Sequence, residues 1–332
     1  MFGKALKIIA PSLFFRLIDK KQACLAGKPG VLPRHLMVEI TNDCNLRCAI
    51  CGNHSMKVKR GFMDLALFEK VAVQARKIGI QDISLHTIGE PLLHPAIADF
   101  IKIAKQNEFR VLLSTNALLL DEVKSRLVLF SGLDNIRYSI EGHDKESYER
   151  ARVGSNFEQI IRNISEFKKI RDSQKIKTKI TINSVLMKNR MSKIREFYKT
   201  WERFADEICF TYPGNFNQKI DARLKEEFIN SASPRKRLPC SMLWDTMVMQ
   251  WDGRFSACCM DFNNDLIVGS IIDNELLEIW NSTVYQKLRK SHLEGDYNSF
   301  PICKNCDPGN RSTAYELYRL NRQAGKLLRK GH

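Results

Sequence analysis

Short β-branched runs alternate with amphipathic stretches from residue 36 to 211, a pattern that few folds accommodate. The stretches repeat apolar residues at the three- and four-residue spacing of a helix. Such alternation requires right-handed crossovers and gives a parallel sheet, either open and doubly wound or curved into a barrel. The sequence therefore predicts six strands, in the runs 36–41, 82–87, 110–114, 135–140, 177–186 and 207–212.

The segments between these runs predict the helices of the same domain. Their apolar residues recur at helical spacing in 68–78, 97–104, 157–167 and 194–201, and 121–130 supplies a further helix. The first crossover contains no G-x-G-x-x-G or Walker-type pattern, so a Rossmann or P-loop nucleotide site lacks its phosphate cradle.

Cys44, Cys48 and Cys51 form a C-x3-C-x2-C set directly after the first predicted strand. Three thiolates on a short loop can hold three irons of a cubane [4Fe-4S] cluster and leave the fourth iron open to a substrate or cofactor. The alternative is a structural zinc site in which His54 completes a Cys3His set.

Composition indicates an ordinary globular chain with a core, because 44% of its 332 residues are hydrophobic. The ten cysteines fall in close sets, and no signal peptide with a cleavage site is recognisable, which favours a reducing cytoplasm over a disulfide framework. No apolar run is long enough to cross a bilayer.

The net charge of +16 is concentrated at the two ends of the chain. Residues 1–28 and 311–332 each contain six basic residues and one acidic residue. The segment 1–35 is basic and amphipathic, which allows peripheral contact with an anionic membrane surface or, alternatively, a terminal helix that caps the protein. Nucleic acid is the weaker interpretation, because no recognised binding motif accompanies the charge.

Three short motifs follow the cysteine triplet at the ends of the second, third and fourth predicted strands. In order, the motifs are His86-Thr87-Ile88-Gly89-Glu90-Pro91, Ser114-Thr115-Asn116 and Ser139-Ile140-Glu141-Gly142, the last followed by Tyr148 and Arg152. Together with the triplet they resemble the radical S-adenosylmethionine (SAM) enzymes in order and position. Ile88, Ala117 and Ile50 depart from the usual family pattern, and none of them replaces a ligand.

The resemblance implies a partial (β/α)6 TIM-like barrel over residues 36–212, with Cys44, Cys48 and Cys51 holding the SAM-binding [4Fe-4S] cluster. It also implies that the cluster reductively cleaves SAM to a 5′-deoxyadenosyl radical, which abstracts a hydrogen atom from the substrate. The substrate expected is a peptide, a carbohydrate or a nucleotide-linked molecule, and the electron donor is external, such as flavodoxin or ferredoxin. The residues implied in SAM binding are Gly89, Glu90, Pro91, Asn116, Ser139, Glu141 and Arg152.

A second, smaller domain is predicted at residues 235–310, after a polar linker at 213–234 with a short helix near 223–229; a basic helix follows at 311–332. Asp252-Gly253 predicts a hairpin with Cys258 on its returning strand. The cysteine spacing resembles the SPASM or twitch extension of the family. That resemblance implies one auxiliary [4Fe-4S] cluster held by Cys240, Cys258, Cys303 and Cys306, with a zinc ribbon as the alternative.

Cys259 and Asp261 are the predicted catalytic residues of this second domain. A thiol can donate a hydrogen atom to a carbon radical, which is the step that an epimerase needs, and Asp261 offers a base. The alternative is that Cys259 is a small core residue or replaces Cys258 as a ligand. Cys24 and Cys209 are predicted to be structural.

Two other functions stay open at this point. One is a radical SAM dehydrogenase or peptide-modifying maturase. The other is a non-catalytic interaction protein, in which both cysteine sets bind zinc and the basic ends contact nucleic acid or lipid.

Overall fold

A computed structural model describes residues 30–185, 192–211, 239–304 and 306. Cys24, the basic segments at the two ends and the predicted linker helix near 223–229 lie outside these residues. Within the described part of the chain, no helix is long and apolar enough to cross a membrane.

The first part of the chain consists of six strands that alternate with helices, as the sequence predicts. The strands are β1 (His35–Val38), β2 (Asp82–Ser84), β3 (Arg110–Thr115), β4 (Asn135–Ser139), β5 (Lys179–Val185) and β6 (Glu207–Thr211). The helices are α1 (Leu65–Lys77), α2 (Ile97–Gln106), α3 (Glu122–Phe130), α4 (Lys145–Ala151), α5 (Phe157–Ser173) and α6 (Ile194–Trp201). Three more strands and three more helices follow among the described residues: β7 (Thr246–Met249), β8 (Arg254–Ser256), β9 (Ile267–Ser270), α7 (Leu276–Trp280), α8 (Thr283–Glu294) and α9 (Pro301–Lys304).

All described strands belong to one sheet, in the order β6-β5-β4-β3-β2-β1-β7-β8-β9. Strands β1 to β6 are parallel and pair with their neighbours in sequence, which is the arrangement of a partial barrel. Strand β7 pairs in parallel with β1, with Leu36 opposite Met247, and β8 and β9 continue the sheet in antiparallel fashion. The cysteine-bearing second region is therefore an extension of the same sheet.

The two faces of the sheet have different chemistry. On β4, Ile136 and Tyr138 are fully buried, and the Tyr138 ring makes an edge contact with Phe167 of α5, so this face packs against the outer helices. Successive side chains of a strand point to opposite faces, which places Arg137 and Ser139 on the inner, concave face. The outer face builds the core, and the inner face is left for polar side chains.

The structure differs from the sequence prediction in several elements. Helices α4, α7, α8 and α9 and strand β9 were not predicted. Helix α4 begins with a reciprocal capping box between Asp144 and Ser147. The Asp252-Gly253 hairpin is confirmed, but the prediction that Cys258 lies on its returning strand is wrong, because β8 ends at Ser256. The chain turns there, and the Asp261 N–H donates to the Cys258 carbonyl at 3.1 Å.

Trp201 links this core to the loop after β4. Its side chain is fully buried and its indole Nε1–H donates to the Gly142 carbonyl at 2.6 Å. We expect Trp201→Phe to lower the free energy of unfolding by about 1–3 kcal/mol, because a buried carbonyl loses its donor. Urea unfolding followed by circular dichroism measures the change.

Phe130→Leu is the control, since Phe130 is 60% exposed and its replacement should change stability by at most about 0.5 kcal/mol. Equal stability of Trp201→Phe and the control would show that the indole hydrogen bond contributes nothing.

Candidate active site

The three N-terminal cysteines lie on the loop that follows β1. The Cys51 N–H donates to the Cys48 carbonyl at 3.1 Å, which forms a tight turn; Cys48 is buried, and Cys44 and Cys51 are partly buried. Burial raises the pKa of Cys44 to about 12 and that of Cys51 to about 11, and it also raises the pKa of Cys48. These thiols therefore ionise only when a positive centre, such as the irons of a cluster, compensates for the lost hydration.

Two hydrogen-bond donors already point at these sulfurs. The Asn53 N–H donates to Cys51 Sγ at 3.4 Å, and Arg152 Nη1 donates to Cys48 Sγ at 3.6 Å. Arg152 also forms a buried ion pair with Glu141. Donors to sulfur stabilise a thiolate, so the donor set fits an iron-sulfur cluster.

The end of α4 supports the cysteine loop through the backbone. The Arg47 N–H donates to the Val153 carbonyl at 2.9 Å, and the Ala49 N–H donates to the Ala151 carbonyl at 3.0 Å. Arg152, between these two carbonyls, is thereby held beside Cys48. In this structure Glu141 and Arg152 support the cysteine loop; their predicted contacts with SAM stay a prediction.

Gly89 and Glu90 fix the end of β2 against its neighbours. A Cβ atom at Gly89 would lie 2.1 Å from the Thr41 carbonyl oxygen, so only glycine allows this approach to the start of the cysteine loop. The buried Glu90 carboxylate accepts hydrogen bonds from Thr115 Oγ1 at 2.7 Å and from the Asn116 N–H at 2.8 Å. The ends of β2 and β3 are therefore joined beside the cysteines.

The remaining predicted SAM-binding residues lie around the same opening. Asn116 donates through Nδ2 to Asn45 Oδ1 at 2.8 Å, which ties the end of β3 to the cysteine loop. Pro91 begins a short 3-10 helix, and Ser139 Oγ lies 3.5 Å from Ser114 Oγ on the inner face. The structure thus brings the predicted residues together at the carboxyl ends of the strands, where barrel active sites lie.

The second cysteine set lies on the extension of the sheet. The Cys306 N–H donates to the Cys303 carbonyl at 3.1 Å, the same turn that joins Cys48 and Cys51. The Met260 N–H donates to Cys258 Sγ at 3.3 Å, which repeats the contact between Asn53 and Cys51. The donor set at these thiols therefore also fits an iron-sulfur cluster.

Cys258 and Cys259 are adjacent, and their thiols share a hydrogen bond that raises the pKa of Cys258 and lowers that of Cys259. Cys259 lies within the electrostatic influence of Cys240 and Cys306, and its Sγ is 4.0 Å from Met242 Sδ. The lower pKa of Cys259 favours this thiol as the cluster ligand, whereas the N–H donor from Met260 favours Cys258. The positive charge of bound irons would override the difference in pKa, so the N–H contact is the stronger indication.

Asp261 is 3% exposed, and its carboxylate holds the loop after Cys258. Oδ2 accepts from Ser256 Oγ at 2.8 Å and from the Leu266 N–H at 2.9 Å, and Oδ1 accepts from the Asp265 N–H at 2.8 Å. These contacts support a structural role for Asp261. Its role as a base stays a prediction that the contacts do not favour.

His292 on α8 is a functional candidate that the sequence prediction missed. The buried ring accepts from the Cys240 N–H through Nδ1 at 3.1 Å, so Nε2 carries the proton and lies 3.4 Å from Cys303 Sγ. The N–H therefore points at a predicted cluster ligand. Only the unpredicted helix α8 brings this residue to the cysteines.

The two cysteine sets are packed close to one another. A Cβ atom at Gly52, next to Cys51, would lie 2.7 Å from the Phe262 ring, which follows Asp261 in the second set. The Lys57 N–H also donates to Asn263 Oδ1 at 3.1 Å. These contacts fix the loop of the first set against the loop of the second.

His54, the fourth ligand in the zinc alternative for the first cysteine set, is exposed.

Glu39 follows β1 and lies below this opening. Its carboxylate is 2% exposed and accepts from Thr87 Oγ1 at 2.6 Å; the Gln250 amide, in the orientation that satisfies its hydrogen bonds, donates to it at 2.9 Å. Burial raises the pKa of Glu39 to about 7.

Comparison with known proteins gives two family matches. The model of the radical SAM superfamily matches residues 38–200, and that of SPASM, described as an iron-sulfur cluster-binding domain, matches residues 240–307. A GTP 3′,8-cyclase of Chlorobaculum tepidum is 31% identical over 142 residues, which are 42% of this chain and 42% of that protein. The chain thus aligns with less than half of this curated relative.

Solved structures share the fold. BtrN in complex with AdoMet and 2-DOIA superposes with a TM-score of 0.59 at 19% identity, over 85% of this chain and 95% of that chain. Streptococcus suis SuiB bound to precursor peptide SuiA superposes with a TM-score of 0.65 at 17% identity, over 81% of this chain and 70% of that chain. At these identities the likeness concerns the fold alone.

Glu39 predicts a pH dependence of stability. A folded-state pKa above the ordinary 4.5 means that the native state binds the proton more tightly, so this stabilisation is complete below pH 4.5 and is lost as pH rises through 7. Relative to Glu39→Gln, the wild type should lose roughly 3 kcal/mol across that range. Urea titrations from pH 5.5 to 8 capture most of the loss.

Glu146→Gln is the matched control, because the Glu146 side chain is 89% exposed. Its difference from the wild type should not vary with pH. Parallel pH profiles for the wild type and Glu39→Gln would contradict the raised pKa.

Proposed function

Since the chain belongs to the radical SAM superfamily and carries a C-terminal SPASM iron-sulfur domain, we propose that it is an enzyme that reductively cleaves SAM and abstracts a hydrogen atom from its substrate. The observation that carries this proposal is the position of Cys44, Cys48 and Cys51. They lie at the mouth of the barrel, beside strand ends that Gly89 and Glu90 lock together.

When bound there, a [4Fe-4S] cluster with one open iron supplies the electron that cleaves SAM and so starts hydrogen-atom abstraction. The protein's own residues hold the cysteine loop and orient the strand ends around it. Arg152 stabilises the Cys48 thiolate, and Glu141 in turn neutralises Arg152. Asn116 keeps the third strand end against the cysteine loop. Gly89, Pro91, Asn116 and Ser139 border the space proposed for SAM.

We assign Cys240, Cys258, Cys303 and Cys306 to one auxiliary [4Fe-4S] cluster. A cluster with four protein ligands has no open iron, so its function would be electron transfer or scaffolding. His292 would donate a hydrogen bond to the Cys303 thiolate, a contact that tunes the reduction potential of such clusters. The packing of Phe262 on Gly52 supports electron transfer between the two sites.

Redox-neutral epimerisation is the reaction that Cys259 supports. Its Sγ–H would give a hydrogen atom to the substrate carbon radical. The resulting thiyl would regain the thiol by taking one electron from the external donor, flavodoxin or ferredoxin, and one proton from solvent. Dehydrogenation or peptide maturation is the second candidate, because the fold is shared with SuiB bound to a precursor peptide. We keep peptide, carbohydrate and nucleotide-linked substrates as the proposed classes, with flavodoxin or ferredoxin as electron donor.

The cluster assignment predicts separable losses of iron. Replacing Cys44, Cys48 and Cys51 together by alanine should remove about four irons per chain and abolish 5′-deoxyadenosine formation in dithionite, because both depend on the first cluster. Iron analysis and mass spectrometry measure the two quantities. Cys209→Ala is the control, since Cys209 lies on β6 away from both sets, and it should keep both.

Cys258→Ala and Cys259→Ala distinguish the ligand from the hydrogen donor. Relative to the wild type, Cys258→Ala should lose about four irons, those of the auxiliary cluster, whereas Cys259→Ala should keep all its iron and lose only product formation. The opposite iron contents would exchange the two roles. With a turned-over substrate in D2O, an epimerase that quenches through a thiol places one deuteron in the product, and a dehydrogenase places none.

A further inference from the structure

Arg137 occupies the middle of the inner face of the barrel. Its neighbours on β4, Ile136 and Tyr138, point outward into the core, so the Arg137 side chain points inward. In the sheet Arg137 lies opposite Ser114 of β3 and Thr181 of β5, so strands flank it on both sides. Burial is the main cause that lowers the pKa of His35 on β1 and of His86 after β2, and the charge of Arg137 adds to it.

Arg137 has no hydrogen-bonding or ion-pair partner among the described residues, although it is partly buried. Other shielded arginines have partners among the described residues. Arg152 is paired with Glu141, and Arg171 is paired with Asp206 and Asp172. Arg60 and Arg289, which are partly buried and have no carboxylate partner there, donate to backbone carbonyls. Arg137 has neither kind of contact, and a cation withdrawn from water without a counter-charge is costly.

His86 adds a second unsatisfied group on the same face. Its Nδ1 atom is buried without a hydrogen-bond partner among the described residues. Burial, followed by the charge of Arg137, lowers the pKa of His86 to about 3, so the ring is neutral. A neutral imidazole nitrogen can donate one hydrogen bond to an oxygen beside the guanidinium.

Hydroxyl groups complete the lining. Ser84 is hydrogen-bonded to His35 at 2.8 Å, and Ser114 and Ser139 lie 3.5 Å apart toward the mouth of the barrel. Two acidic residues act on His35: Asp82, which is paired with Arg110, and Asp245, which is paired with Arg34. Glu207 is paired with Lys179, and Glu39 is hydrogen-bonded to Thr87. The centre of the face is therefore positive, and a net charge of +16 would steer anions toward the protein.

We propose that Arg137 and His86 bind an anionic group of the substrate, a carboxylate or a phosphate, inside the barrel. A guanidinium suits both groups because its planar fork matches their paired oxygens. The inference rests on the proposed function, since it places the substrate on the concave face below the SAM site. It names the substrate class, which the function alone leaves open.

Thermal unfolding of the full-length, anaerobically reconstituted protein tests this site without knowledge of the substrate. The variants are Arg137→Met and, as the control, Arg150→Met, whose arginine side chain is 70% exposed on α4. Sodium phosphate, pyrophosphate and acetate are the probes, with sodium chloride at equal ionic strength as the reference. Iron content is measured on the same samples.

Without added anion, Arg137→Met should unfold about 2–4 °C above the wild type, because it removes an unpaired cation. A probe anion should raise the unfolding temperature of the wild type and of Arg150→Met but not that of Arg137→Met. The stronger response to phosphate or to acetate identifies the group.

A lower unfolding temperature of Arg137→Met in chloride would show that Arg137 is structural and overturn the proposal. Equal responses of Arg137→Met and the wild type, or none in either, would overturn it as well. These outcomes are distinct from a failure of the proposed function, which would appear as a wild type that contains no iron or forms no 5′-deoxyadenosine.

Discussion

Glu90 makes the junction on which the site depends, because its buried carboxylate joins the ends of β2 and β3 through Thr115 Oγ1 and the Asn116 N–H. Parallel strands of a partial barrel splay at their carboxyl ends, where no further ladder bonds hold them. A carboxylate that accepts from the neighbouring strand replaces those bonds. Gly89 brings the same turn against the Thr41 carbonyl, so the start of the cysteine loop shares this junction.

Burial raises the thiol pKa values of the first cysteine set, and hydrogen-bond donors to its sulfurs would stabilise the thiolates of a metal-bound state. Desolvation alone keeps the Cys44, Cys48 and Cys51 thiols protonated. The N–H and guanidinium donors at Cys51 and Cys48 are oriented for thiolates, which form only with bound cations. His292 is placed in the same way at Cys303, on a different helix and in a different part of the sheet. Both sites thus have hydrogen-bond donors directed at a cysteine sulfur.

Hydrophobic periodicity and short motifs predicted those elements of the fold that depend on residues close together in sequence. Six strands and most helices of the barrel follow from periodicity, and the motif residues lie at strand ends as expected. Strand β1 ends at Val38 and is shorter than predicted. Beyond it, the Glu39 N–H still donates to the Met249 carbonyl of β7, and Thr41 forms a separate bridge with Phe62. Contacts between distant segments were not predictable: the pairing of β1 with β7, and the approach of His292 to Cys303 across helix α8. The sequence also does not reveal that Arg137 lacks an ion-pair partner among the described residues, because that requires knowing where the acidic residues lie.

The parallel pairing of β1 with β7 explains how two metal sites can hold a fixed separation. The first cysteine loop leaves β1, and the second cysteine set follows the hairpin that β7 begins, so both originate from adjacent strands of one sheet. Relative motion of the two sets would have to break ladder hydrogen bonds as well as the contact of Phe262 with Gly52. A fixed separation suits electron transfer, and it leaves adaptation to the substrate to the inner face. There, the His86 Nδ1 atom is buried without a hydrogen-bond partner, and Arg137 has no ion-pair partner, among the residues that the structure describes.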